Sequence, residues 1–186
     1  MTLRIHGIPA SRAIRPLWAA TELGLNFDHV MTDYKGGHTR TPEFLALNPN
    51  GHIPVLTDDT PAGPVVVWES MACTLYIAKA HGRGDGSDLS CANLKEEGEA
   101  LRWAFWSMSE LEKDALTVLM HRMAMPEADR KADLAEAAEG RLRVPLRVLE
   151  SALNDQVARG QDHLCAHRFT VADLSHRCAD KDAERT

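Results

Sequence analysis

The most informative part of this sequence reads Asn48-Pro49-Asn50-Gly51-His52-Ile53-Pro54-Val55-Leu56. Pro49 and Gly51 predict a turn, and an apolar run follows it directly. Because proline has no backbone N–H for a sheet ladder, Pro54 marks the edge of a strand. If the Ile53–Pro54 bond is cis, the N–H and C=O of Ile53 face outward and can pair with a short peptide ligand. The alternative is a proline that simply starts an edge strand.

On the carboxyl side, the pattern predicts a hairpin followed by a helix. Residues 61–64 form the turn, and Val65-Val66-Val67-Trp68 is a β-branched strand. Glu69-Ser70 then opens a helix that runs to about residue 80 and is stopped by Gly82.

On the amino side, Leu3 and Ile5 alternate with polar residues in a first strand. A helix follows, with Ser11 as its candidate N-cap and Gly24 as its stop. Pro16 stands late for a first-turn proline, so we expect the first turn of this helix to be irregular.

Residues 27–31 alternate as a second strand, 32–41 form a polar loop, and 42–47 form a short helix that opens at proline. The resulting order, β-α-β-α-β-β-α, is thioredoxin-like and predicts helices covering a small mixed sheet. We assign residues 1–81 to this α/β domain and the Gly-, Asp- and Ser-rich residues 82–90 to a linker.

The remainder, 91–186, is predicted to be an all-helical domain with two long helices that form an α-hairpin. One ends near residue 125, and the other runs from about Pro126 to Ala158. The apolar positions at helical spacing are Leu101, Ala104, Phe105, Met108, Leu111, Ala115, Leu116 and Leu119 in the first and Leu134, Ala138, Leu142, Pro145, Leu146, Leu149 and Leu153 in the second.

The composition excludes several classes of function. The 186 residues are 44% hydrophobic and 26% charged, with a formal net charge of -6 and no long basic run, which argues against nucleic-acid binding. No apolar stretch is long enough for a membrane span, and the amino terminus lacks a signal peptide, so we expect a cytoplasmic protein. The cysteines form no C-x-x-C and no metal-type spacing with the histidines, which predicts reduced thiols and no metal site.

Four short segments together resemble the glutathione S-transferase family, and its bacterial-like serine-type members in particular. Ile53-Pro54 matches the cis-proline before the third strand, and Glu69-Ser70 matches the acid-Ser pair that opens the third helix. The segment 11–15 resembles the Ser-x-x-x-Arg turn, and 169–174 resembles the family's capping box. The resemblance covers residues 1–174 and implies a thioredoxin-like domain followed by an all-helical one.

The resemblance implies that Ser11 is the catalytic residue. Its hydroxyl would donate to the sulfur of glutathione, the co-substrate, and so lower the pKa of the thiol. Arg12 is a second candidate for this task. The alternative from the residues alone is that Ser11 is only an N-cap.

The resemblance also implies how glutathione is held. Ser70 and the first N–H groups of its helix would bind the γ-glutamyl carboxylate, Glu69 would bind the ammonium, and the Ile53–Pro54 backbone would pair with the peptide. His52 and His38 are candidates for the glycyl carboxylate, although solvated surface roles are the alternative for both.

Trp103 and Trp106 lie in a stretch, 102–108, that resembles the part of the family lining the hydrophobic substrate pocket and the dimer groove. These tryptophans are candidates for a pocket that takes small hydrophobic electrophiles, and the resemblance implies a homodimer. Aromatic packing inside a helical core is the alternative.

Two other functions are weighed against the transferase. A glutaredoxin-like oxidoreductase needs a cysteine at the start of the first helix, where this chain has Ser11. A non-catalytic binding or interaction protein with the same fold is the stronger rival. After Leu174 the chain reads as a polar segment, 175–186, where the family has a long apolar helix. We interpret this as a truncation or an altered reading frame that leaves the helical domain incomplete, and this interpretation favours the rival slightly.

Overall fold

The computed structural model describes residues 2–174. Within it the chain divides into two compact units, the first reaching Leu94 and the second starting at Lys95. The predicted domain limits of 1–81, 82–90 and 91–186 remain predictions.

The first unit contains a four-stranded mixed sheet. Its strands are β1 (Leu3–His6), β2 (Asp28–Val30), β3 (Val55–Thr60) and β4 (Gly63–Trp68), and their spatial order is β2-β1-β3-β4. β1 pairs with β2 in parallel, and the other two pairs are antiparallel. This topology confirms the predicted thioredoxin-like sheet.

Three helices belong to this sheet: α1 (Ile14–Glu22), α2 (Pro42–Leu47) and α3 (Ser70–His81). α2 begins as predicted, with Pro42 at its first position and the Thr41 side chain accepting from the Phe44 N–H at 3.3 Å. A short 3₁₀ helix, His38–Arg40, lies inside the segment 32–41 that was predicted to be a polar loop.

The prediction that Ser11 caps α1 is wrong. The helix begins at Ile14 with Ala13 at the N-cap position, and residues 9–13 form turns. Pro16 gives the physical reason: in a helix that starts at Ile14, proline falls in the first turn, where its missing N–H costs nothing. In a helix capped by Ser11, the same proline would interrupt the hydrogen-bond ladder.

The core of the first unit lies between the sheet and α3. Ile5 pairs with Leu56 across the sheet, and both side chains are completely buried. On the same face Asp58, two residues along β3, accepts hydrogen bonds from Tyr76 Oη at 2.9 Å and His81 Nε2 at 2.8 Å. Because both partners belong to α3, this buried carboxylate fixes the helix over the sheet.

The second unit begins with a long helical segment, as predicted, but the segment is not uniform. α4 (Leu94–Trp106) continues through a π-helical segment, Ser107–Leu111, into α5 (Glu112–Leu119). A second π-helical segment, Met120–Ala124, follows α5. Local π geometry of this kind cannot be read from apolar spacing alone.

The second long helix, α6 (Ala132–Ala158), starts later than the predicted Pro126. A 3₁₀ turn, Glu127–Asp129, comes first. Arg130 is extended, and its guanidinium donates to the carbonyl oxygens of Met123 at 2.7 Å and Met125 at 2.8 Å. These bonds satisfy carbonyls at the end of the preceding helical segment, and they hold Arg130 out of α6.

The capping box near the end of the described chain is present with one difference. Asp173 accepts from the Thr170 N–H at 2.9 Å, as a capping box requires. The Thr170 hydroxyl, however, accepts from the Ala172 N–H at 3.3 Å, while the Asp173 N–H bonds to the Thr170 carbonyl. The predicted incomplete end of the helical domain, 175–186, lies outside the described residues.

Within residues 2–174, no helix combines the length and apolarity that a membrane span requires. In the same range, no three His, Cys, Asp or Glu side chains are placed to share a metal ion. Cys73, Cys91 and Cys165 are free thiols, and the fourth cysteine lies outside the described part.

Candidate active site

The Ile53–Pro54 peptide bond is cis. β3 begins one residue later at Val55, which pairs with His6 on one side and Trp68 on the other. Ile53 therefore lies just before the ladder, half-buried, at the end of the sheet where β1 ends.

A buried asparagine holds the turn before this cis bond. Asn48 is 1% exposed, and its Nδ2 donates to the His52 carbonyl at 2.8 Å. Its Oδ1 accepts from the Asn50 N–H at 3.0 Å. The side chain thus takes the place of backbone hydrogen bonds across the turn and fixes the backbone conformation that leads to Ile53. Sequence reasoning gave Asn48 no role, because an asparagine beside a proline and a glycine is read simply as a turn residue.

Arg40 is a second residue that sequence reasoning missed. Its Nη1 donates to the Asn50 carbonyl at 3.1 Å. Gly51 has a φ of 61°, and a Cβ there would lie 2.6 Å from Arg40 Nη1, so the turn and the arginine need a glycine at this position. Arg40 and His38 belong to one 3₁₀ helix, and His52 is exposed in the adjoining turn. This side of the site is basic and suits an anion.

Ser11 lies in the turn before α1. Its Oγ donates to the Ile8 carbonyl at 2.7 Å and accepts from the Ala13 N–H at 3.2 Å. Gly7 lies close to both this turn and the residue before the cis-proline. A Cβ at Gly7 would lie 2.5 Å from the Cβ of Ala13 and 3.6 Å from that of Ile53. The Ser11 turn and Ile53 therefore flank the same backbone position. Arg12, the second catalytic candidate, is exposed.

Glu69 adopts a strained backbone conformation directly before α3. Its φ is 73° and its ψ 122°, and it is the one non-glycine residue with positive φ within 2–174. Such a conformation costs about 1–3 kcal/mol and occurs preferentially at ligand-binding positions. Its carboxylate is exposed and makes no capping bond to the helix. The strain is therefore not balanced by a local cap.

Ser70 begins α3 and is 3% exposed. Its Oγ accepts a hydrogen bond from Nη1 of the buried Arg15 at 3.0 Å. The bond joins the first turns of α1 and α3, and so it brings the Ser11–Arg15 motif to the Glu69-Ser70 pair.

Trp103 and Trp106 belong to the second unit. Their rings meet edge to face with centroids 5.2 Å apart, and the Arg102 guanidinium lies 5.3 Å from the Trp103 centroid. Trp103 is buried and Trp106 is half-buried. Their role in a substrate pocket remains a prediction.

The first cysteine in the chain is unsuited to thiol chemistry. Cys73 is completely buried in α3, and its Sγ donates to the Val67 carbonyl at 3.3 Å. Burial raises the pKa of this thiol to about 12, so it stays protonated at neutral pH. The position gives no support to the glutaredoxin-like alternative.

A small mixed sheet covered by helices, with a cis-proline before its third strand, defines the thioredoxin-like class. Within that class, the family model described as glutathione S-transferase, N-terminal domain, matches residues 1–79. Glutathione S-transferase 3 of Zea mays is 32% identical over 180 residues, which are 94% of this chain and 75% of that protein. The chain belongs to the glutathione S-transferase family.

Two further comparisons bear on function. The theta-class glutathione S-transferase of Xanthomonas axonopodis pv. citri, solved with glutathione bound, superposes with a TM-score of 0.80 at 27% identity and covers 94% of this chain and 78% of that one. A probable elongation factor 1-gamma of Arabidopsis thaliana is 32% identical over 96% of this chain, which corresponds to 40% of that protein. Similar sequences therefore occur in proteins with different names and different lengths.

Proposed function

We propose that the first unit binds glutathione and that the chain transfers it, as thiolate, to small hydrophobic electrophiles. The observation that carries the proposal is the convergence at one end of the sheet. There the Ser11 turn and the cis Ile53–Pro54 bond flank Gly7, and Arg15 joins that turn to Ser70.

Each part of glutathione has a partner in this arrangement. The backbone of Ile53, which precedes the β3 ladder, pairs with the cysteinyl residue. Ser70 and the N–H groups that open α3 bind the γ-glutamyl carboxylate, and Glu69 binds the ammonium. The glycyl carboxylate faces the basic side of the site. His38 and His52 are the residues there that the sequence analysis gave as candidates to bind it.

The structure adds Arg40 to that basic side. Its guanidinium is tied to the Asn50 carbonyl, which fixes its position beside the turn. An arginine offers five donors in a planar fork that matches a carboxylate, whereas an imidazole ring offers at most two. We therefore rank Arg40 above both histidines as the partner of the glycyl carboxylate.

The chemical step needs a thiolate. The glutathione S–H loses its proton to solvent, the sulfur forms a bond to an electrophilic carbon, and the leaving group departs with its electron pair. A hydroxyl that donates to the sulfur stabilises the anion. Ser11 can supply this donor if its hydrogen turns away from the Ile8 carbonyl, and Arg12 in the next position adds positive charge.

A second candidate function is a non-catalytic glutathione-binding or interaction protein. The hydrogen bond of Ser11 to Ile8 favours it, because a hydroxyl already satisfied by the backbone must give up that bond to activate a thiol. The likeness to a probable elongation factor 1-gamma, which is not named as a transferase, points in the same direction.

The test combines calorimetry with turnover. We expect glutathione to bind to the purified chain and an aryl halide to be conjugated in its presence. Binding without turnover on an aryl halide, an epoxide or an enone would select the non-catalytic alternative. Absence of glutathione binding would reject the transferase and a glutathione-binding protein, and would select an interaction protein with the same fold.

We also propose that the chain forms a homodimer in the cytoplasm and that Trp103 and Trp106 contact the electrophile. Light scattering at micromolar concentration tests the first point, and a monomer would contradict it. Trp106→Ala should raise KM for a hydrophobic electrophile and leave glutathione affinity unchanged.

A further inference from the structure

Arg15 is a charged residue in a buried position, which costs free energy because its guanidinium loses its hydration. It is 2% exposed in the first turn of α1, and its Nη1 lies 3.0 Å from Ser70 Oγ. A charged side chain is seldom buried to this degree unless partners compensate for its lost hydration. One of those partners is a hydroxyl in the proposed glutathione site.

The direction of this hydrogen bond is fixed by chemistry. A guanidinium carries only donors, so Ser70 Oγ must accept from it. The hydrogen of the Ser70 hydroxyl is then left to donate to something else. Within residues 2–174 that hydrogen has no acceptor, since the Ser70 bonds in this range are the one to Arg15 and its backbone bonds.

The charge acts in the same direction as the hydrogen bond. A cation within hydrogen-bond distance polarises the hydroxyl and makes it a stronger donor. It also attracts any anion that approaches Ser70, and this attraction is strong because burial keeps water away from the guanidinium.

We propose that Arg15 is a positioning residue of the glutathione site, which orients the Ser70 hydroxyl as a donor to the γ-glutamyl carboxylate and supplies positive charge behind it. This inference rests on the proposed function and deepens it. Arg15 itself does not touch glutathione and acts through Ser70.

The test uses three ligands that differ at one group. Glutathione carries both the α-carboxylate and the ammonium, 4-aminobutyryl-cysteinylglycine lacks the carboxylate, and glutaryl-cysteinylglycine lacks the ammonium. Affinities are measured by calorimetry on the full chain. We expect Arg15→Met to weaken glutathione and the glutaryl peptide about tenfold, as for one lost charge-assisted bond, and to leave the aminobutyryl peptide unchanged.

Glu69→Gln is the matched control. It removes a charge at the neighbouring position, and it should weaken the two ligands that carry the ammonium but not the glutaryl peptide. Ser70→Ala should reproduce the ligand pattern of Arg15→Met, and the double variant Arg15→Met, Ser70→Ala should lose little more than either single one.

A purely structural role for Arg15 predicts equal losses for all three ligands, and that result would overturn the inference, as would unchanged affinities. If Arg15→Met does not fold, Arg15→Lys replaces it. Lysine keeps a cation that can donate to Ser70, so the loss should be smaller and should still be confined to ligands with the carboxylate. Failure of the wild-type chain to bind glutathione would reject the proposed function itself, and it would be seen before any variant is made.

Discussion

The core of the first unit and the later part of α6 in the second differ in how completely they bury their apolar side chains. In the first unit, Ile5, Leu56 and Ile77 are fully buried. In the second, α6 from Val144 onward exposes valines and leucines within the described chain, with Val144 at 68% and Val157 at 66%. Shallow grooves follow this exposed part of α6.

This difference decides where precise geometry can be maintained. A site keeps its geometry when the elements that carry it are fixed by a packed core. In the first unit, Ser70 and Glu69 stand at the start of α3, a helix that Ile77 and Asp58 anchor to the sheet. Within residues 2–174, α6 has no buried side chain beyond Ala138. We therefore expect substitutions to act strongly in the first unit and weakly along α6.

The largest effect is expected in the core. Ile77→Ala should lower the free energy of unfolding by about 2–5 kcal/mol, because it removes buried methyl groups and leaves a cavity. Chemical denaturation monitored by circular dichroism measures this change. A loss below about 1 kcal/mol, the usual result for a partly exposed residue, would mean that the core of the first unit and the later part of α6 do not differ as described.

The next effect concerns chemistry. Ser11→Ala should lower kcat by about one to three decades, as for the loss of one hydrogen-bond donor to the reacting sulfur, while the affinity for glutathione stays the same. The pKa of the bound thiol should rise, and a pH titration of thiolate absorbance measures this rise. Coincident titrations with equal rates would leave Ser11 as a turn residue only and would shift attention to Arg12 or a backbone N–H.

A smaller effect, of opposite sign for stability and function, is expected at Glu69. Glu69→Gly relieves the positive φ, and the free energy of unfolding should rise by about 1 kcal/mol. Glutathione binding should weaken by about 1.5–3 kcal/mol, because the carboxylate facing the ammonium is lost. Glu69→Ala keeps the strain and loses the charge, so it serves as the control for binding alone. Equal stability of the two variants would argue against strain at this position.

The smallest effect is expected along α6. Val148 is 49% exposed, and Val148→Ser should change the free energy of unfolding by no more than about 0.5 kcal/mol. The same denaturation experiment as for Ile77 applies. A loss of 1 kcal/mol or more would show that this face is covered in solution, and a dependence of that loss on protein concentration would identify self-association as the cover.

The sequence by itself determined the features that depend on neighbouring residues. Alternation of apolar residues predicted the strands, and Pro54 predicted the start of β3, which begins one residue later as an interior strand of the sheet. Pro42 marked a helix start correctly, because a missing N–H acts within one turn of the chain. Gly82 also marked a helix end correctly, although its φ is -75° and a Cβ there would collide with the side chain of Ser90. Ser11 was misjudged as an N-cap even though the decisive residue, Pro16, was noticed.

Only the tertiary structure decided which distant residues meet. Arg15 and Ser70 are separated by 55 positions in the chain, and nothing in their local spacing indicates that one donates to the other. The contact of Arg40 with the 50–51 turn and the close approach at Gly7 also depend on how strands and helices pack. Local propensity determines the backbone conformation over a few residues. The partners of a side chain depend on how the whole unit packs, and a single sequence carries no short-range pattern for that packing.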